Sequence, residues 1–182
     1  MRVITGSAKG RRLETLEGED VRPTTDRIKE AIFSIIQFET EGRAFLDLFA
    51  GSGQMGIEAL SRGSKTAYFV DNSKKSLDTV KRNLKTTKLE QNAKTFAMDY
   101  QSFLAMCSER FDIAFLDPPY KTGMLQKALE LVPEIMNETG VIIAENPLDE
   151  EILSNYGNFL LDRQYRYGKI KISTFRHKDF VQ

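Results

Sequence analysis

The sequence has no tryptophan, one cysteine and one histidine. A single cysteine, Cys107, leaves no partner for an internal disulfide, and a reducing cytoplasm is the expected setting. His177 lies far from it in the chain, so the ligands for a zinc site and the parts of a cysteine–histidine nucleophilic pair are both missing, and no metal is expected. No apolar run is long enough to span a bilayer, and residues 1–6 lack the apolar centre of a signal peptide, so no membrane role is expected. Net charge is absent as well: 26 Lys and Arg balance 26 Asp and Glu.

That balance hides segregation. Arg2, Lys9, Arg11 and Arg12 open the chain without an acid, and Arg163, Arg166, Lys169, Lys171, Arg176 and Lys178 cluster near its end. Between Leu131 and Asp162 every charge is negative, from Glu134 and Glu138 through Glu145, Asp149, Glu150 and Glu151. The basic ends suit a polyanion; a solvated surface with chance clustering gives the same pattern.

With 182 residues the chain is most economically one domain. Residues 1–40 read as an N-terminal hairpin and helix extension, and residues 41–182 as a core of alternating strands and helices. Strands are expected near 44–48, 66–70, 93–98, 113–116 and 141–145. Helices are expected near 53–61, 74–86, 101–107, 124–136 and 150–154. Strands near 158–166 and 169–175 flank Tyr167-Gly168 as a hairpin. The pattern predicts an α/β fold with a mostly parallel seven-stranded sheet and an antiparallel C-terminal strand. Ahead of the core, Thr24 or Thr25 can cap a helix carrying Ile28, Ala31, Ile32, Ile35 and Ile36.

Asp117-Pro118-Pro119-Tyr120 ends an apolar run, residues 111–116, that reads as a buried strand. Two prolines cannot continue a central strand. The turn therefore presents a carboxylate, free proline carbonyls and a flat aromatic face at a strand's carboxyl end, where open α/β sheets bind ligands. Such a set suits a heterocycle with an exocyclic NH2 group.

Asp47-Leu48-Phe49-Ala50-Gly51-Ser52-Gly53 runs from a strand into a helix, and its small residues let a ligand approach the backbone. Asp71, at the end of the next strand, can take both hydroxyls of a ribose, with Asn72 beside it. Gly51-Ser52-Gly53-Gln54-Met55-Gly56 also fits the dinucleotide fingerprint, with Asp71 placed 20 residues after Gly51. Two features favour S-adenosylmethionine: Asp47 stands where a methionine ammonium would sit, and a nicotinamide enzyme has no use for the amino-group acceptors of the Asp117 turn. Asp99-Tyr100 either completes the cofactor site, with Asp99 accepting from an adenine amino group, or caps the following helix.

These two motifs together resemble the class I S-adenosylmethionine-dependent amino-methyltransferases. With Ile4-Thr5-Gly6-Ser7-Ala8-Lys9-Gly10-Arg11, Arg22-Pro23-Thr24-Thr25-Asp26-Arg27, residues 56–63 and Tyr167-Gly168, the sequence resembles more narrowly the RsmD family of 16S rRNA guanine-N2 methyltransferases, over essentially its whole length. The resemblance implies a Rossmann-like class I methyltransferase fold. It implies Asp47, Phe49, Ala50, Gly51, Ser52, Gly53, Asp71, Asn72, Asp99 and Tyr100 around S-adenosylmethionine. It implies Asp117 and the Pro118 carbonyl on the target amino group, with Tyr120 stacked on the base. The extension would contact RNA through Lys9, Arg11, Arg12, Arg22, Thr24 and Arg27, and the partner would be 16S rRNA in an assembling or assembled small subunit. Asp71 and Gln54-Met55 depart from the residues usual there, and neither change removes a required chemical group. Rival readings are a DNA adenine-N6 or other RNA amino-methyltransferase, a nicotinamide-dependent oxidoreductase, and a non-catalytic RNA-binding module. A protein glutamine methyltransferase usually has asparagine where Asp117 stands.

Overall fold

The structure is a computed structural model that describes residues 1–16 and 25–181. Its elements in chain order are α1 (Asp26–Ile35), β1 (Ala44–Asp47), α2 (Gln54–Ser61), β2 (Thr66–Asp71), α3 (Lys74–Thr87), β3 (Ala93–Ala97), α4 (Tyr100–Met106), β4 (Phe111–Leu116), α5 (Met124–Leu131), β5 (Met136–Pro147), β6 (Asn155–Tyr156), β7 (Phe159–Tyr167) and β8 (Ile170–His177). The strands form one sheet in the order β3-β2-β1-β4-β5-β8-β7-β6. The first five are parallel, and β8, β7 and β6 add antiparallel pairings. This is the expected mixed α/β architecture. The two-residue β6 brings the sheet to eight strands.

Apolar side chains alternate between two cores, one on each face of the sheet. Phe45, Phe69, Phe115 and Ile143 lie on one face with α1, α2 and α3 residues such as Phe33, Ile57 and Val80. Leu46, Val70, Ala114 and Ile142 lie on the other with Phe103 of α4 and Leu129 of α5. Strand periodicity of two makes this separation automatic once the register is set.

Two expected boundaries shift. The helix expected over 124–136 ends at Leu131 and tightens into a 3₁₀ turn, Val132–Ile135, because Pro133 cannot donate to a continuing helix. No helix forms over 150–154. The Asn146 side-chain amide donates to the Glu150 carbonyl at 2.8 Å, Leu153 N–H donates to the Tyr156 hydroxyl at 2.9 Å, and Leu161 N–H donates to the Ser154 carbonyl at 2.8 Å. Those partners satisfy the backbone in an extended path.

The N-terminal segment is stapled to α2. Arg2 and Arg12 form an isolated antiparallel bridge. Glu58 accepts from Ile4 N–H at 2.8 Å, from Thr5 N–H at 3.0 Å and from Arg62 Nε at 2.8 Å. Lys29 Nζ of α1 stands 3.5 Å from Glu58 Oε2, both side chains fully buried, and donates to the Arg2 carbonyl at 2.6 Å. Burial pushes the Lys29 amine below its ordinary value, and the Glu58 charge opposes that. A buried charge network is costly to break because the survivors stay buried without partners. Glu58→Ala is expected to destabilise the protein by about 3–5 kcal/mol, read as a lower urea midpoint. A loss under 1 kcal/mol would show that water replaces the carboxylate.

Candidate active site

Parallel register brings a row of carboxylates to one edge of the sheet. Asp47 ends β1 and pairs in register with Phe69 of β2 and Phe115 of β4. Asp71 lies two residues beyond Phe69, and Asp117 two beyond Phe115, so all three continue the same face. Leu116 pairs with Ala144, which sets Asp117 beside Glu145 of β5. Strands β2, β1, β4 and β5 therefore each contribute one acid to the carboxyl edge, on the α1–α2 side.

Two of these acids occupy the donors of the glycine loop. Asp47 is 1% exposed, and its Oδ2 accepts from Gly56 N–H in the first turn of α2 at 3.0 Å. Asp71 accepts from Gly51 N–H at 2.9 Å and from Ser73 N–H at 2.8 Å. Gly51 (φ 53°) and Gly53 (φ 79°) adopt left-handed backbone. A Cβ on Gly51 would meet nothing within 4 Å, so the loop faces open space there, whereas one on Gly56 would lie 2.3 Å from the Phe69 ring. Gly51 thus leaves room for a ligand, and Gly56 allows α2 to pack on β2.

Burial pushes the Asp47 carboxyl up to about 7; the Gly56 bond pulls it down and the Asp71 charge adds to the rise. In the unfolded chain an aspartate titrates near 3.9, so between about 4 and about 7 the folded state holds the extra proton. Asp47 therefore costs stability as pH rises through that window. Asp47→Asn is expected to become more stable relative to the parent as pH rises from about 4 to about 7, measured by urea unfolding at several pH values. A pH-independent difference would rule the shift out.

The structure brings several expected residues together and separates others. The Phe49 and Tyr100 rings meet at 5.2 Å between centroids, beside the loop of Ala50, Gly51, Ser52 and Gly53. Asn72 is exposed next to Asp71. Asp99 caps α4: its two oxygens accept from Ser102 N–H at 2.9 Å and from Ser102 Oγ at 2.7 Å, which holds its carboxyl below the usual range. Pro118 is buried, and Asp117 and Tyr120 are half-buried. Lys9, Arg11, Arg12 and Arg27 are exposed on the N-terminal segment and α1, while Arg22 and Thr24 lie outside the described residues. Thr25 is the cap of α1, accepting from Ile28 N–H.

Three buried polar residues were not read from the sequence as site components. Glu145, the last residue of an expected strand and one of an all-acidic stretch, is 4% exposed and accepts from the Tyr120 hydroxyl at 2.8 Å. That bond fixes the tyrosine ring at the end of the Asp117 turn. The backbone also holds the turn: Lys121 has φ 60°, and Thr122 Oγ1 donates to the Pro119 carbonyl at 2.7 Å. Asn83, 1% exposed on α3, accepts from Glu14 N–H at 2.8 Å and donates to the carbonyls of Glu14 at 3.0 Å and Ser52 at 2.9 Å. Glu58 is the third. The signal for Asn83 was a polar residue within the Leu77, Val80, Leu84 stripe. Glu145 interrupts an apolar run that a surface acid would not enter.

Among the described residues no group of His, Cys, Asp and Glu is arranged to hold a metal ion. No helix among them is long and apolar enough to cross a membrane.

The family described as Conserved hypothetical protein 95 matches residues 1–176. The chain belongs to this family, the RsmD family. Among its members, a Bacillus subtilis protein named "Putative rRNA methyltransferase YlbH" is 42% identical over 183 residues, spanning 98% of this chain and 100% of the relative. A Haemophilus influenzae protein named "Ribosomal RNA small subunit methyltransferase D" is 33% identical over 159 residues, spanning 85% of this chain and 82% of the relative. The solved structure described as "Putative methyltransferase yhhF from Escherichia coli" superposes with a TM-score of 0.87 at 29% identity, covering 97% of each chain. The mixed sheet seen here thus matches that of a solved putative methyltransferase.

Proposed function

We infer that this RsmD-family chain transfers a methyl group from S-adenosylmethionine to the exocyclic N2 of a guanine in small-subunit rRNA. The observation that carries the reading is the pairing of two sites on one sheet edge: a glycine loop whose Gly51 N–H, with Gly56 N–H of the following helix, donates to carboxylates, and the Asp117–Tyr120 turn one strand away. The names of the relatives, which refer to rRNA and to the small subunit, supply the substrate class.

The loop argues against a dinucleotide. A helix N-terminus binds phosphate through unpaired N–H groups. Here Gly56 and Gly51 already donate to Asp47 and Asp71, and a pyrophosphate would meet two acids. A ligand with an ammonium and a sulfonium fits the same acids. The antiparallel β8 inserted beside β5 also departs from the all-parallel order of dinucleotide folds.

Asp47, Gly51 and Gly53 would line the methionine end of the cofactor, Asp71 the ribose, and Phe49, Ala50, Ser52, Asn72 and Tyr100 the surrounding wall. Asp99 would reach the adenine only by sharing oxygens that Ser102 now holds. When bound, the cofactor supplies a methyl group already activated by its positive sulfur, so no enzyme nucleophile is required. Asp117 and the Pro118 carbonyl would accept hydrogen bonds from the target NH2, orient its lone pair and stabilise the positive charge that grows on nitrogen during transfer. The pair of the broken C–S bond would stay on sulfur as a neutral thioether, and the nitrogen would give up one proton to the Asp117 carboxylate or to water. Tyr120 would stack on the base after it leaves its helix, returning about 1–3 kcal/mol of the unstacking cost. A DNA adenine-N6 reaction would use the same turn; the rRNA names of the relatives favour RNA. Residues 1–40, with Lys9, Arg11, Arg12, Arg22, Thr24 and Arg27, would contribute RNA contacts to one catalytic domain.

The deciding experiment incubates the protein with radiolabelled S-adenosylmethionine and small ribosomal subunits from cells lacking it, with free rRNA and duplex DNA alongside. Label in N2-methylguanosine of the small-subunit rRNA is expected. Label in DNA methyladenine would overturn the base and substrate together. Asp117→Ala should lose at least about a hundredfold in turnover with cofactor affinity unchanged. Tyr120→Ala should raise the RNA KM about tenfold or more and likewise spare cofactor binding; equal loss of both affinities would refute the stacking role.

A further inference from the structure

The carboxyl edge is acidic where the chemistry is proposed to happen. Asp71, Asp47, Asp117 and Glu145 line it, and Asp149 follows just beyond β5. A phosphate backbone cannot lie across that row without cations to hold it. Lys121, the cation of the Asp117 turn, is already paired with Asp149 at 2.7 Å.

Cations on the same edge stand at the start of α3, where Lys74 and Lys75 follow Asp71, and on the β7–β8 hairpin tip, on the Asp117 side of the row. Glu145, Asn146 and Pro147 pair with Ile172, Lys171 and Ile170, and these pair in turn with Tyr165, Arg166 and Tyr167. With strands about 4.8 Å apart, Tyr165 stands about 10 Å from Glu145 along one ladder row. Lys169 is fixed to the site edge, because its carbonyl accepts from Leu148 N–H at 3.1 Å. Gly168 takes φ 60° to close the turn. Arg166 and Lys169 are exposed and Lys171 is half-buried; none forms an ion pair among the described residues. Tyr165 and Tyr167 pack against the same core as Tyr120, whereas Arg166 and its cross-strand partner Lys171, one residue out of phase, stand on the opposite face of the hairpin, with Lys169 in the turn between.

We propose that this tip, Tyr165 to Lys171, is the lip over which single-stranded RNA flanking the target base is bent, with Tyr167 against a neighbouring base on the site face and Lys169, Arg166 and Lys171 on phosphates at the turn and behind it. The inference rests on the reading that the chain acts on RNA. Rings on one side of the tip and cations on the other would hold a single strand by its bases and by its phosphates respectively. The tip's distance from the acidic row lets the backbone stay outside while one base turns in. A second set of cations in the N-terminal segment is compatible with the lip and does not replace it.

The test compares the parent with R166A/K169A/K171A, with K169E and with K81A/K85A/K88A, which changes as many charges on and just after α3 at the other end of the sheet. Binding of a labelled single-stranded RNA and of small ribosomal subunits is followed against salt, together with cofactor affinity and thermal midpoint. The hairpin triple variant should bind RNA about tenfold or more weakly, and its log–log salt slope should fall in magnitude by about 2, at roughly 0.7 per phosphate contact. K169E, a change in an exposed turn, should weaken binding in the same direction without moving the thermal midpoint. Y167L, which keeps an apolar group against the core, should weaken RNA binding with the salt slope unchanged. Cofactor affinity should hold throughout. If the parent methylates rRNA while the hairpin variants bind as well as the parent, or no worse than the α3 variant, the lip is wrong and the methyltransferase reading stands. If the parent binds neither RNA nor subunits, both fall.

Discussion

The hydrogen bonds from Gly56 to Asp47 and from Gly51 to Asp71 are the constraint on which the rest of the site depends. They fix the loop between β1 and α2, and they reverse the usual electrostatic character of a helix N-terminus. A free helix start attracts anions; one already capped by the protein's own carboxylates repels them and favours a cation. The cost is visible at Asp47, whose burial raises its carboxyl to about 7. A cationic ligand beside it would favour the charged form, so the raised carboxyl and the attraction for the proposed cofactor have one source.

The same economy appears at the other anchors. Asn83 holds both the Ser52 carbonyl and the Glu14 backbone, so the glycine loop and the N-terminal segment share one fastening on α3. Glu58 and Ser61 fasten the start of that segment to α2, the helix that begins at the loop. These buried polar groups are satisfied by several partners each, which makes them rigid and makes their loss expensive. Tyr120 follows the same logic. Its ring is held by a bond to a buried acid on the neighbouring strand and by a turn that carries two prolines.

Much of the architecture was legible because apolar runs and stripes have distinct periods. The strands after residue 43, the helices between them and the hairpin around Gly168 all follow that pattern. What the sequence misplaced, left out or left open has specific causes. Residues 150–154 look helical by composition, but Asn146 and Tyr156 offer their backbone better partners. Glu145 reads as the end of a strand and as one of a run of acids, and a sequence does not show that the turn after the neighbouring strand delivers a tyrosine hydroxyl to it. Asp99 could equally cap a helix or face a ligand on sequence alone; Ser102 shows the cap.

The sequence by itself determined the two motifs and the order of elements, since glycine, proline and alternating apolar residues act through local backbone physics. Only the tertiary structure decided which acids share an edge. The row Asp71, Asp47, Asp117, Glu145 comes from four strands, and its alignment depends on parallel register. The placement of the basic hairpin tip beside that row likewise depends on β8 pairing antiparallel to β5. Register is a cooperative property of the packed sheet, fixed by which faces bury their side chains, and no local stretch of chain carries it.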